Sequence, residues 1–213
     1  MLSIRGRVLV LVVACLGASV GETRQFSFLR PLDASSPIGY SIADGRGRSG
    51  YRASDRQLAT WAFDDWQRAA GRRVALRPDR VADALIQLHW ADPADGQYGE
   101  MQDIVVNGRH GAAIFIRPDV DGLGPEITGK AHADDLLRDT IVYLTCVHEL
   151  GHALGLAHTR DEADVMYFFG YGGDIAAYFR RYRAKLRARR DIAVTSALSQ
   201  GDVARLQALY PLP

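Results

Sequence analysis

Eleven consecutive residues, His148-Glu149-Leu150-Gly151-His152-Ala153-Leu154-Gly155-Leu156-Ala157-His158, constrain this chain more than any other stretch. His148 and His152 are four residues apart, so a helix carries both imidazoles on one face, close enough to share an ion. Gly155 lets the backbone leave that helix through a left-handed turn, where a residue with a Cβ is strained. The chain then returns His158 toward the same ion from another direction. Three imidazoles with a water in the fourth position make an open zinc site of the catalytic type. Glu149 follows the first ligand and lies beside that water, where a carboxylate can take its proton. The arrangement implies a hydrolytic centre. Isolated histidine pairs at this spacing occur by chance in helices, but here half of the six histidines fall within eleven residues, with glycine at the break.

The surroundings predict a helix over Leu136 to Leu154. Asp134 and Asp135 precede it, and negative charge is favourable at a helix N-terminus. No proline interrupts it, and Ile141, Leu144, Cys146, Val147, Leu150, Ala153 and Leu154 are apolar around much of its circumference, as in a helix that crosses a protein interior. Cys146 is turned away from the ligand face and reads as a small buried apolar residue. Leu198 to Tyr210 reads as a second helix. Ser199 and Asp202 suit an N-cap and N3 pair, followed by an apolar stripe of Val203, Leu206 and Tyr210.

Met166 stands eight residues beyond His158, in Asp164-Val165-Met166-Tyr167. With the H-E-x-x-H-x-x-G-x-x-H pattern filled at all five fixed positions, the chain here resembles the metzincin clan of zinc endopeptidases. Within that clan it is most similar to the matrixins, the matrix metalloproteinases and their bacterial relatives. The resemblance implies that His148, His152 and His158 hold one catalytic zinc, that Glu149 is the catalytic base, and that Met166 forms the Met-turn, a tight loop under the bound histidines. It also implies that Leu198 to Tyr210 is the last helix of the domain, with Asp202 tying it to the Met-turn. Two adjacent aspartates open this helix in the family. Gly201 replaces the first of them, which removes the family's partner for a freed N-terminal ammonium.

The implied fold is α+β: a twisted mixed sheet with two long helices above the zinc cleft, and the Met-turn and C-terminal helix below it. Residues 36–213 form the expected domain, after an N-terminal segment at 22–35. In the upper part, Ser54-Asp55-Arg56-Gln57 reads as a capping box opening a helix with Leu58, Trp61, Ala62, Trp66 and Ala69 at helical spacing. Strands are predicted at Ile38 to Ile42, Val74 to Leu76, Ala84 to Trp90, Ile104 to Val106 and Ala112 to Ile116. Either of the last two could be the sheet edge that takes a protein or peptide substrate as an added strand.

Several family features have no counterpart. The fifteen or so residues between the expected signal and the domain leave no room for a cysteine-switch propeptide. His89, His110 and His132 lack the aspartate pairing of a structural zinc site. Calcium is a further candidate ion, with Asp92, Asp95, Asp103, Asp119, Asp121 and Glu126 as carboxylates, but no loop among them shows a calcium pattern.

Residues 1–21 read as a secretion signal, with Arg5 and Arg7 ahead of an apolar run, Val8 to Leu16, too short for an ordinary membrane span. Val12-Val13-Ala14-Cys15 also resembles a lipobox, so lipidation at Cys15 is the alternative to free secretion. Either way the mature protein is exported, to the periplasm or the extracellular space, and Cys15 and Cys146 supply no disulfide framework.

Between the Met-turn and the last helix, about 168–195, lies a basic insertion. Arg180, Arg181, Arg183, Lys185, Arg187, Arg189 and Arg190 occur with no acid among them, beside an acidic remainder that the whole-chain charge of +1 hides. Tyr178, Tyr182 and Leu186 recur every fourth residue, the stripe of an amphipathic helix. The insertion is either a basic face held by the acidic remainder or a surface that contacts anionic substrates, lipids or polysaccharides. Tyr167, Phe168, Phe169 and Tyr171 could line the pocket for the residue after the scissile bond. No nucleic-acid motif is present, so nucleic acid is not an expected partner. A monomeric secreted zinc endopeptidase is the resulting expectation. An envelope-associated binding protein with a structural or vestigial zinc site is the alternative.

Overall fold

The computed structural model of the chain describes residues 29–95 and 97–212, so the expected signal, Cys15 and the first part of the 22–35 segment lie outside the described residues. Among the described residues no helix is long and apolar enough to cross a membrane.

Alternation of side chains builds the sheet. Strand β3 (Ile86–Trp90) buries Ile86, Leu88 and Trp90 and leaves Gln87 and His89 half-buried on the opposite face. On one side it pairs in parallel with β1 (Ile38–Ile42), which pairs with β2 (Leu76–Pro78). On the other it pairs in parallel with β5 (Arg109–Ile116), Leu88 standing opposite Ile114. Strand β4 (Gly99–Val106) runs antiparallel to β5 and ends the order β2-β1-β3-β5-β4. The edge strand left open in the sequence is therefore β4.

The last two strands are longer than predicted, and Asn107-Gly108 explains why. Both residues have positive φ, 51° and 77°, the conformation of a two-residue hairpin turn that matches strand twist. The β2 strand begins two residues later than expected, because Val74 turns into the core.

Helices α1 (Asp55–Ala70) and α3 (Asp135–Ala153) pack together against the sheet, and a bond from Trp66 Nε1 to the Val147 carbonyl, 2.8 Å, fixes their contact. A short helix, α2 (Pro125–Ala133), precedes α3. Helices α4 (Ile175–Arg183) and α5 (Gln200–Leu209) complete the architecture. The expected capping box at Ser54 does not form: Ser54 is itself helical and makes no side-chain cap bond. Asp55 turns inward instead, where it meets the buried guanidinium of Arg138 (Nη2 to Oδ2, 2.7 Å) and accepts from the Arg52 amide. A buried cation without a carboxylate would cost more than a surface cap contributes.

The α-helix of the basic insertion ends at Arg183, Leu186 is buried beyond that end, and a 3-10 turn follows at Arg189–Ala193. Several of its cations are spent on the domain. Arg183 pairs with Asp134 at 2.9 Å, and Arg180 lies 3.4 Å from Glu126. Arg189 pairs with Asp139 at 2.7 Å, donates to the Ser54 carbonyl and lies over the Trp61 ring.

Candidate metal centre

Helix α3 brings the first two histidines to one place. Its N-cap, Asp134, accepts from the amides of Leu136 and Leu137, and every residue from Leu137 to Ala153 is buried. The helix ends where the motif requires. Gly155 has φ +95°, its amide bonds to the His152 carbonyl, and the Leu156 amide bonds back to Gly151, a Schellman closure. A side chain at 155 would also meet Pro31 and Leu209 at about 3 Å. This turn sends His158 back over the helix.

The three Nε2 atoms then converge: 3.2 Å between His148 and His152, 3.1 Å between His152 and His158, and 3.3 Å between His148 and His158. Nitrogens at about 2.0–2.1 Å from a tetrahedral zinc are about 3.3 Å apart, so the triad fits that ion. The tautomers suit ligation as well. His148 Nδ1 donates to the Val165 carbonyl at 2.7 Å and His152 Nδ1 to the Leu156 carbonyl at 2.8 Å, since a carbonyl can only accept. That leaves the Nε2 lone pairs directed at the shared point. Burial lowers the His148 pKa to about 4, and burial with the neighbouring His148 lowers that of His158 to about 3, so both rings are neutral near pH 7. Phe168 stacks on His158, with ring centroids 4.7 Å apart.

Glu149 is fully buried, and neither carboxylate oxygen has a hydrogen-bond partner among the described residues. Burial and the nearby charge of Glu100 raise its pKa to about 8. A buried carboxyl without partners is costly and points to a group that works with something from outside the chain. Gly99, at the start of β4, closes over it: a Cβ there would lie 2.4 Å from Glu149 Oε1.

Beneath the triad, Met166 is fully buried and packs against Gly151. The loop that carries it closes on itself, with the Thr159 amide bonded to the Met166 carbonyl at 2.9 Å. Helix α5 holds the loop from below. Ser199 and Asp202 form the expected capping box, and Asp202 also accepts from the Val165 amide at 2.8 Å. A continuous path results, from Asp202 through the Val165 peptide to His148. Asp164, buried beside the loop, accepts from Ser199 Oγ and pairs with Arg205.

The remaining sequence candidates stand apart from this centre. His132 lies 2.8 Å from Asp121 and His110 3.6 Å from Asp103, pairings the sequence had not suggested, and His89 stacks on Phe115. Among the described residues, only His148, His152 and His158 gather as a group that could hold a metal ion. Of the aromatic residues after Met166, Phe169 lines a narrow pocket beside His148 with Leu144, Tyr178 and Phe179, Tyr167 is buried, and Tyr171 is exposed. Gly99, Asp164 and Arg205 are additions the sequence did not single out.

The sequence profile of the matrixin family matches residues 34–174. Macrophage metalloelastase of Oryctolagus cuniculus is 36% identical over 117 residues, covering 52% of this chain and 23% of the relative. Interstitial collagenase of Sus scrofa is 34% identical over 94 residues, covering 41% and 16%. Matrix metalloproteinase-17 of Homo sapiens is 26% identical over 192 residues, covering 87% and 29%. The chain spans less than a third of the length of each of these relatives.

Proposed function

This chain belongs to the matrixin family, and from that premise we propose that it is an exported zinc-dependent endopeptidase in which His148, His152 and His158 are the metal ligands and Glu149 is the general base. The observation that carries the reading is the convergence of three Nε2 atoms within 3.3 Å of one another, beside a buried carboxylate that no described residue satisfies. Zinc held there would polarise a substrate carbonyl and acidify a bound water. Glu149, kept from solvent, has the proton affinity to take a proton from that water and to deliver it to the leaving amine. Met166 supports the ligands from below, and Asp202 holds His148 in its orientation through Val165. The free side of β4 offers backbone groups to an extended peptide, which favours proteins and peptides as substrates.

The protein acts as a monomer, secreted through the signal at 1–21 or anchored through Cys15. Lys185, Arg187 and Arg190 are exposed and form the part of the insertion available to an anionic surface.

Metal removal tests the reading. Peptide cleavage by the full-length protein should vanish on treatment with a chelator and return with one equivalent of zinc per chain. His152→Ala should hold no zinc and show no recovery. Cleavage that persists without metal would refute the proposal.

A further inference from the structure

On the sheet face opposite the helices, His89, Phe115 and Glu100 stand in one row across β3, β5 and β4. His89 and Phe115 stack, with ring centroids 5.3 Å apart. With Arg48, Gln97 and Gln102 they line a cavity of about 350 Å³, within the range of sites for small ligands or long side chains. Its chemistry is lopsided. Arg48 at the rim lies 2.5 Å from Asp92, which answers its charge. Glu100 makes no ion pair among the described residues and accepts only a neutral amide bond, from Gln102 at 2.8 Å. Gln97 Oε1 is buried without a hydrogen-bond partner among the described residues. Burial lowers the pKa of His89, so its ring adds no positive charge. The cavity thus holds an unpaired carboxylate, an unsatisfied carbonyl oxygen and a flat aromatic floor.

Its position ties it to the metal centre. Gly99 approaches Glu149, and Glu100, the next residue, points to the other face of the same edge strand. A peptide added to β4 sends alternate side chains to the two faces, so those standing opposite Glu100 and Gln102 lie on the side of the cavity.

We infer that this cavity is a substrate subsite for an arginine side chain, with Glu100 as its counter-charge and the His89–Phe115 pair as the surface on which the guanidinium stacks. The inference rests on the endopeptidase reading and adds a substrate preference to it. A planar guanidinium satisfies a carboxylate and a neighbouring acceptor together while lying flat on a ring, which a lysine ammonium does not.

The test uses paired peptides identical except for arginine or its neutral isostere citrulline, with that residue moved through each of the four positions on either side of the cut. At one position the wild-type full-length protein should favour arginine by about tenfold or more in kcat/KM, the scale of a charge-assisted hydrogen bond. Glu100→Gln should bring the ratio to within about twofold of unity, and Gln97→Leu should lower it in part. Taking the ratio cancels any effect of Glu100 on Glu149, because both peptides share it. Equal cleavage of the two peptides at every position, or a ratio unchanged in Glu100→Gln, would overturn the subsite while leaving the peptidase reading intact. Absence of any cleavage would count against the peptidase reading instead. The subsite would then be judged by NMR titration of the zinc-loaded protein with the same peptides. Amide shifts at His89, Glu100 and Phe115 that saturate with the arginine peptide at lower concentration than with citrulline would support it, and equal or no shifts would overturn it.

Discussion

Glu149 and Gly99 are fifty residues apart in the chain and in contact in the fold. The carboxylate fills the space that a side chain at 99 would occupy, so Gly99→Ala must displace either the proposed general base or the start of β4. Misplacement of a reacting group by about 1 Å costs on the order of 100-fold in rate. We expect Gly99→Ala to lower kcat by about that factor with zinc content unchanged; a variant running at full rate would mean that this contact does not position the carboxylate. The residue scale also marks the limit of what the sequence shows. His148, Glu149, His152 and His158 are legible because their spacing translates directly into helix geometry and a glycine turn. Gly99 is not legible, because its meaning depends on a strand register that no local pattern encodes.

Helix α5 shows the same division one level up. Its capping pair, Ser199 and Asp202, is readable from spacing alone, and it forms. That Asp202 also bonds to the Val165 amide, and through that peptide supports His148, becomes visible only in three dimensions, although the family resemblance indicated the tie. Asp202→Ala should leave the amides of Val165 and Ser199 without their acceptor and destabilise the fold by about 2–4 kcal/mol, with weaker zinc retention as a consequence. Denaturant midpoints and zinc competition measured on the same variant check both effects, and an Asp202→Ala protein of unchanged zinc affinity would separate the helix from the metal centre. Elsewhere local signals misled in physically simple ways. The Ser54 cap was outcompeted because Asp55 is needed by buried Arg138. The β4–β5 hairpin extends beyond its apolar residues because Asn107-Gly108 fixes the turn, a stronger signal than an apolar pattern that fades along β4.

At the scale of the whole molecule, a basic insertion sits on an acidic domain. Along the chain, Arg180 to Arg190 carries seven cations and no acid. In the fold, Arg183 and Arg189 are bound to Asp134 and Asp139, at the start of the helix that carries the proposed metal ligands. Those partners lie about fifty positions away in sequence, which is why the sequence alone leaves open whether the run is held by the domain or faces a partner. The insertion therefore has two populations of cations. Arg189→Ala should destabilise the protein by about 2 kcal/mol, since it strips a buried carboxylate of a charged donor. Arg187→Ala, at an exposed position, should change stability by no more than about 0.5 kcal/mol. Equal effects in urea unfolding would contradict the division.

The most direct measurement of the central claim is cleavage of a diverse peptide library by zinc-loaded wild-type protein and by Glu149→Ala, with zinc content determined in both. One zinc per chain is expected in each, with cuts made by the wild type and none made by the variant. Cleavage by Glu149→Ala at the wild-type rate would show that this carboxylate is not the base, and two zinc-loaded proteins that cut nothing would contradict the endopeptidase itself.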